Sequence, residues 1–243
     1  SKLDEREFVV RFVTRVNREI GGAYVFSCGK NMGVFKAVGY PEDVGVFYRL
    51  EEYEGYAWTA HGRYPTNTPG WWGGAHPFSI LDYSVVHNGE ISSYDANRRF
   101  IEMYGYNCSL LTDTEVITYI IDFLVRRKGL TLEEAAGVIA APFWSTIEQM
   151  PEAQRERLAY LRETFASLLI TGPFSILLGF TGGMMALNDR LKLRSMVCAE
   201  KGEAVYFASE ECAIRVMEPD VETLWAPRGG QAVVVRLNDG VTV

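Results

Sequence analysis

Apolar side chains recur at helix and strand spacings along most of the chain, and turn residues separate the runs. In residues 4–20, Phe8, Phe12, Val16 and Ile20 stand four apart with Val9 and Val13 beside them, while Arg11, Arg15 and Arg18 fall elsewhere. That spacing predicts an amphipathic helix buried along those apolar positions. Residues 23–27 and 32–38 flank Gly29-Lys30-Asn31 and read as a β-hairpin. Pro41 is expected to open a short helix reaching about Tyr53. Residues 56–61 read as a buried strand that runs into a Pro- and Gly-rich loop over 65–77, of a length often used for function. A second strand is expected over 80–86, ending at His87-Asn88-Gly89-Glu90.

The middle of the chain turns helical. Thr112 and Glu115 have capping-box spacing ahead of the apolar run 116–125, and Thr131 with Glu134 repeats the device before a helix that Pro142 ends. Pro151 opens another helix, with Leu158, Leu161, Phe165 and Leu168 on one face. Short strands follow over 174–180, 184–187, 196–199, 204–208 and 232–237. Strands, then helices, then strands, with no repeat or low-complexity linker, predict one α+β domain over 1–243 rather than alternating βαβ units.

Composition narrows the class. Of 243 residues 48% are hydrophobic and 23% charged, which excludes a disordered or collagenous chain. The formal charge of −7 argues against a nucleic-acid or anionic-membrane partner, since either needs a basic face. No apolar run approaches the roughly 20 residues that span a bilayer, and Asp4, Glu5 and Glu7 break any leader-like pattern, so a cytoplasmic protein is expected. The four cysteines stand far apart, and with three histidines they predict neither a disulfide framework nor a zinc site.

Three segments carry candidate chemistry. His61-Gly62-Arg63-Tyr64 puts an arginine at a strand end, where its guanidinium fork suits a carboxylate, although arginines beside a proline turn are common. His87-Asn88-Gly89 contains an Asn-Gly pair, which by itself signals a type I′ turn. It could instead aim the Asn88 amide and the Gly89 backbone N–H at one spot, as the donors of an oxyanion hole. Asp113, in the first turn of its helix, is favoured there by the helix dipole and could also anchor an ammonium group.

Seven segments occur in one order: HGRYPTNT at 61–68, AHPF at 75–78, HNGEIS at 87–92, TDTEV at 112–116, GPFSI at 172–176, NDRLKLRSM at 188–196 and ASEE at 208–211. That order resembles class II glutamine amidotransferase domains over most of the chain. The Thr-Asn-Thr after Arg63 and the Ala-His-Pro-Phe resemble the amidotransferase part of glutamate synthase, nearest its stand-alone archaeal-type subunit. The resemblance implies an N-terminal-nucleophile hydrolase fold, a four-layer αββα sandwich. It implies hydrolysis of glutamine to glutamate and ammonia, the ammonia passing to a synthase subunit that holds FMN and iron-sulfur clusters, with no cofactor in this chain. It also implies roles: Arg63 on the substrate α-carboxylate, Asp113 on its α-ammonium, Asn88 and Gly89 as the oxyanion hole, Tyr64 and Thr66 lining the pocket, and His87 orienting the segment.

One departure stands out. The family nucleophile is a cysteine at the mature N-terminus, whereas this sequence starts Ser1-Lys2-Leu3. Ser1 leads into the first helix, and Cys28, though followed by Gly29, is internal. The expectation is therefore a domain that is N-terminally incomplete relative to the family and lacks its nucleophile strand, the cysteine coming from another segment or chain. The alternative is a catalytically inactive glutamine-binding subunit with a regulatory or structural role.

Overall fold

Threonine caps start the two central helices in the computed structural model, which describes residues 4–64, 70–237 and 240–242. Ser1 and Thr66 lie outside the described residues. In chain order the elements are α1 (Glu5–Glu19), α2 (Pro41–Tyr48), β1 (Phe78–Ile80), β2 (Tyr83–Gly89), α3 (Tyr94–Met103), α4 (Asp113–Asp122), α5 (Leu132–Ile139), α6 (Trp144–Ile147) and α7 (Glu152–Thr164). There follow β3 (Phe174–Phe180), β4 (Gly183–Asn188), β5 (Val197–Lys201), β6 (Ala204–Ala208), α8 (Glu211–Met217), β7 (Thr223–Trp225), β8 (Val233–Arg236) and β9 (Gly240–Thr242).

Thr112 accepts from the Glu115 N–H at 3.2 Å, as its spacing predicts. The Glu115 carboxylate does not complete the box. It reaches the Ser109 and Leu110 N–H groups instead, fixing the segment that enters α4. At α5 the box is complete, with Thr131 and Glu134 each accepting from the other's backbone. Beyond α4 the chain widens into a π-helical turn, Phe123–Arg127.

Two antiparallel sheets hold the strands. The larger has the order β1-β2-β3-β4-β8-β9 and the smaller β6-β5-β7. Ile101, Ile117, Ile120, Leu161, Ile176 and Leu178 belong to one continuous buried cluster between the helices and the larger sheet. Ala186 and Val233 of that sheet meet Cys198, with Phe207 and Trp225 alongside, to seal the two sheets together. Helix α8 packs on β6 and buries Ile214. The layers thus run helix, sheet, sheet, helix, an α+β sandwich. No helix among the described residues is long and apolar enough to cross a membrane.

Four expectations are corrected. Helix α1 is rotated away from its predicted stripe: Val10 is buried, while Phe8, Phe12 and Ile20 are exposed. Asn17, which exchanges two hydrogen bonds with the Val25 backbone, and Glu7, paired with Arg126 and Arg127, set that rotation. Residues 23–38 form no strand and no ladder with each other. Side chains tie them down instead, Asp82 accepting from the Lys30 and Asn31 N–H groups and Ser79 donating to the Phe26 carbonyl. Residues 56–61 are likewise no buried strand; Tyr56 and Trp58 are exposed, and the contacts are Tyr56 with the Gly182 N–H and Thr59 with Ser84. The run 80–86 is two strands, because the chain reverses at Leu81-Asp82 and pairs Ile80 with Tyr83. Helix α3, polar but for a few positions, escapes the pattern altogether; it buries Ile101 and Asn97, whose amide donates to the Ser167 and Leu169 carbonyls.

Candidate functional site

Strand β2 runs straight through the Asn-Gly pair. Asn88 lies opposite Ser175 and Gly89 opposite Phe174, so this pair is not a hairpin turn. The turn signal loses because the reversal has already happened at Leu81-Asp82 and the β3 backbone is available as a partner. Gly89 has φ 147, and a Cβ there would sit 2.1 Å from the Pro173 carbonyl oxygen and 3.0 Å from His87 Nε2. Only glycine fits so close to the next strand. The Asn88 side chain is exposed at the strand end.

One residue earlier, the His87 side chain points inward and is almost completely buried. Its Nδ1 lies 3.3 Å from Thr114 Oγ1 and 3.4 Å from Asp113 Oδ1. Asp113 is the first residue of α4, so the helix N-terminus faces its carboxylate. The Ile91 N–H approaches the other oxygen, Oδ2, at 3.4 Å. Burial works to raise the Asp113 pKa, but the His87 hydrogen bond and the Ile91 and Thr114 backbone donors outweigh it and hold the carboxyl below its ordinary range. Asp113 is therefore an ionised, oriented carboxylate at neutral pH.

The loop before β1 brings in a second histidine. His76 Nε2 lies 2.9 Å from Thr114 Oγ1, and its ring lies over His61 with centroids 4.1 Å apart. Burial, then the neighbouring His87 ring and the Arg63 charge, push His61 down to about 4. Burial, followed by His61, His87, Arg63 and Lys36, takes His76 to about 2. Both rings are neutral. Arg63 is close enough to contribute to both shifts, and its Nη1 lies 2.9 Å from where a Cβ on Gly74 would stand. It lines a cleft of roughly 910 Å³ together with His61, Tyr64, Trp71 and His76. Tyr64, 89% exposed, stands at the rim.

Of the residues singled out from sequence, Asp113 and His87 are in direct contact, and Asn88 and Gly89 continue the strand from His87. Arg63 joins them through His61, His76 and Thr114. Among the described residues, Asn88, Gly89 and Asp113 do not line the cleft that Arg63 lines. Sequence reasoning passed over His61, His76 and Thr114, although all three lie inside the ordered segments. It also passed over Lys36, whose buried ammonium donates to the Gly73 and Pro77 carbonyls at 3.4 Å and so ties down the loop carrying His76. No group of three or more His, Cys, Asp or Glu among the described residues could hold a metal ion.

Comparison with known proteins gives four findings. Residues 1–112 match the family model of class-II glutamine amidotransferases. The chain is 50% identical to an uncharacterized protein of Archaeoglobus fulgidus over 97% of its own length and 63% of that protein's. It is 24% identical to the amidophosphoribosyltransferase of Methanocaldococcus jannaschii over 82% of this chain and 37% of that one. Among solved structures, the glutamine phosphoribosylpyrophosphate amidotransferase from B. subtilis overlaps 66% of this chain and 28% of that chain, with a TM-score of 0.45 and 18% identity. The chain thus spans less than two thirds of the length of each of these relatives.

Proposed function

With residues 1–112 carrying class II glutamine amidotransferase sequence, we propose that this chain is the glutaminase part of a glutamate synthase. It hydrolyses glutamine to glutamate and ammonia, and the ammonia passes to a partner subunit that holds FMN and iron-sulfur clusters. The observation that carries the reading is the Asp113 carboxylate, kept ionised and oriented by His87 and the Ile91 N–H at the start of α4. Asp113 takes the substrate α-ammonium and Arg63 the α-carboxylate, with Tyr64 and Thr66 at the pocket. Asn88 and Gly89 stabilise the oxyanion that forms when the carboxamide carbon is attacked. The glutamate synthase type rests on the Thr-Asn-Thr and Ala-His-Pro-Phe segments. We read residues 1–243 as a single amidotransferase domain, a reading supported by the two apolar clusters that share the larger sheet.

We assign the nucleophile to a cysteine-bearing segment other than Cys28, Cys108 and Cys198, and not to Cys212, which lies on α8 in the layer opposite α4. Burial raises the Cys28 thiol pKa and pushes Cys108 and Cys198 up to about 12, the reverse of what an attacking thiolate needs. The four thiols are free, which fits a reducing, cytoplasmic setting.

The test uses the full-length native complex. Arg63→Lys and Asp113→Asn should raise KM for glutamine with kcat largely kept, because clamp contacts exist in ground and transition states alike. Asn88→Ala should lower kcat about 100-fold or more with little change in binding. A complex that binds glutamine but releases no glutamate would replace the glutaminase by a glutamine-binding subunit.

A further inference from the structure

Thr114 holds the centre of the buried polar network. Its side chain is 1% exposed, and its one hydroxyl faces His76 Nε2 at 2.9 Å, His87 Nδ1 at 3.3 Å and Asp113 Oδ1 at 3.3 Å. A hydroxyl has one proton to give and two lone pairs to receive with. Asp113 is ionised and can only accept, so the Thr114 proton goes to Oδ1. Both imidazole nitrogens must then donate to Oγ1.

We propose that Thr114 is a positioning residue that sets the tautomers of His76 and His87 and, through its own proton and the His87 N–H, locks the Asp113 carboxylate for an ammonium ligand. His76 carries its proton on Nε2 and His87 on Nδ1. The opposite nitrogens, His76 Nδ1 and His87 Nε2, are left bare, and both are buried with no hydrogen-bond partner among the described residues. That pattern is what single-proton neutral rings require; a second proton on either ring would sit buried and unpaired. The low basicity that burial gives His76 agrees with it. Oδ1 of Asp113 thus takes the Thr114 proton, with the one His87 Nδ1–H shared between Thr114 Oγ1 and Oδ1, and Oδ2 faces the Ile91 N–H, which fixes the carboxylate plane on both sides. This assignment deepens the proposed glutamine clamp and rests on it only for the identity of the ligand.

Two readouts test it on the full-length protein. Long-range 1H–15N NMR distinguishes the neutral tautomers, and with three histidines in the chain single His→Gln variants assign the signals. At pH 7.5 or thereabouts the wild type should show His76 as the Nε2–H form and His87 as the Nδ1–H form. Thr114→Val should release His76 into a tautomer mixture and raise KM for glutamine about tenfold or more at similar kcat, the scale of one hydrogen bond to a charged group. Thr114→Ser, which keeps the hydroxyl, should restore both. His76 found as the Nδ1–H form in the wild type, or a Thr114→Val protein with both tautomers unchanged, overturns the proposal. Should Thr114→Val fail to fold, the wild-type pattern decides. The expected tautomers with an unmoved KM would sustain the role of Thr114 and instead remove Asp113 from the substrate clamp.

Discussion

Protonating either ring of the His61–His76 stack puts a charge into a buried place beside another imidazole and near Arg63. In the unfolded chain both rings take up protons near pH 6.5, whereas in the fold they resist until about 4 and about 2. Over that window the unfolded state binds more protons, so the contribution is complete above about pH 6.5 and is lost as pH falls. Glu115 works in the opposite sense. Burial pushes its carboxyl up to about 7, so the folded state binds the extra proton between there and its ordinary 4.5, which adds stability as pH drops. His61→Gln should therefore be less acid-sensitive than the wild type between pH 6.5 and 4, with the Glu115 effect common to both. Urea melts at pH 7 and pH 4.5 measure this. Equal losses in the two proteins would mean that His61 already carries its charge in the fold. The fate of Asn88-Gly89 shows what a local signal lacks: a dipeptide can propose a turn, but the reversal at Leu81-Asp82 and the neighbouring β3 decided for a strand.

At the scale of elements, the caps were the most legible feature, because a cap is satisfied by side chains three residues away and needs nothing distant. Thr131 and Glu134 form both halves of the predicted box on α5. Thr131→Ala should cost about 1 kcal/mol, read as a lower urea midpoint at unchanged slope. Thr112→Ala additionally disturbs a site helix, so it is the less clean comparison. Strands β3, β4, β6 and β8 also stand close to their predicted positions, where apolar residues dominate, and β3 and β4 are covered on both faces. Residues 23–38 and 56–61 carry the same apolar signal yet make no ladder with one another. A strand exists only where a second backbone offers its donors and acceptors, and composition does not report that partner.

Over the whole molecule, one ionic network ties α1 to the helical layer. Arg126 makes two hydrogen bonds to Asp122, which is completely buried, and a third to Glu7 of α1, while Tyr106 also donates to Asp122. Arg126→Met should destabilise the fold by about 3–5 kcal/mol, because it strands the Asp122 charge in the core. The double change Asp122→Leu with Arg126→Met should recover much of that loss, since neither charge is then left alone. Denaturant melts give the energies. Hydrogen exchange should show α1 opening first in both variants, and full protection of α1 would mean that Val10 and Asn17 hold the helix without the ions.

What the residues determined by themselves was local or compositional: the capped helix starts, the apolar strands of the second half, an α+β chain, and the order of segments that resembles class II glutamine amidotransferases. Each depends on side chains a few positions apart or on the chemistry of one segment. What only the tertiary structure decided was everything that needs two distant segments to meet. The rotation of α1 awaited Val25 and Arg126, the straight course of β2 awaited β3, and the Thr114 hub awaited His76, His87 and Asp113. Three histidines scattered over 26 positions look unrelated in the sequence, because hydrogen bonding acts across about 3 Å of space and takes no account of distance along the chain.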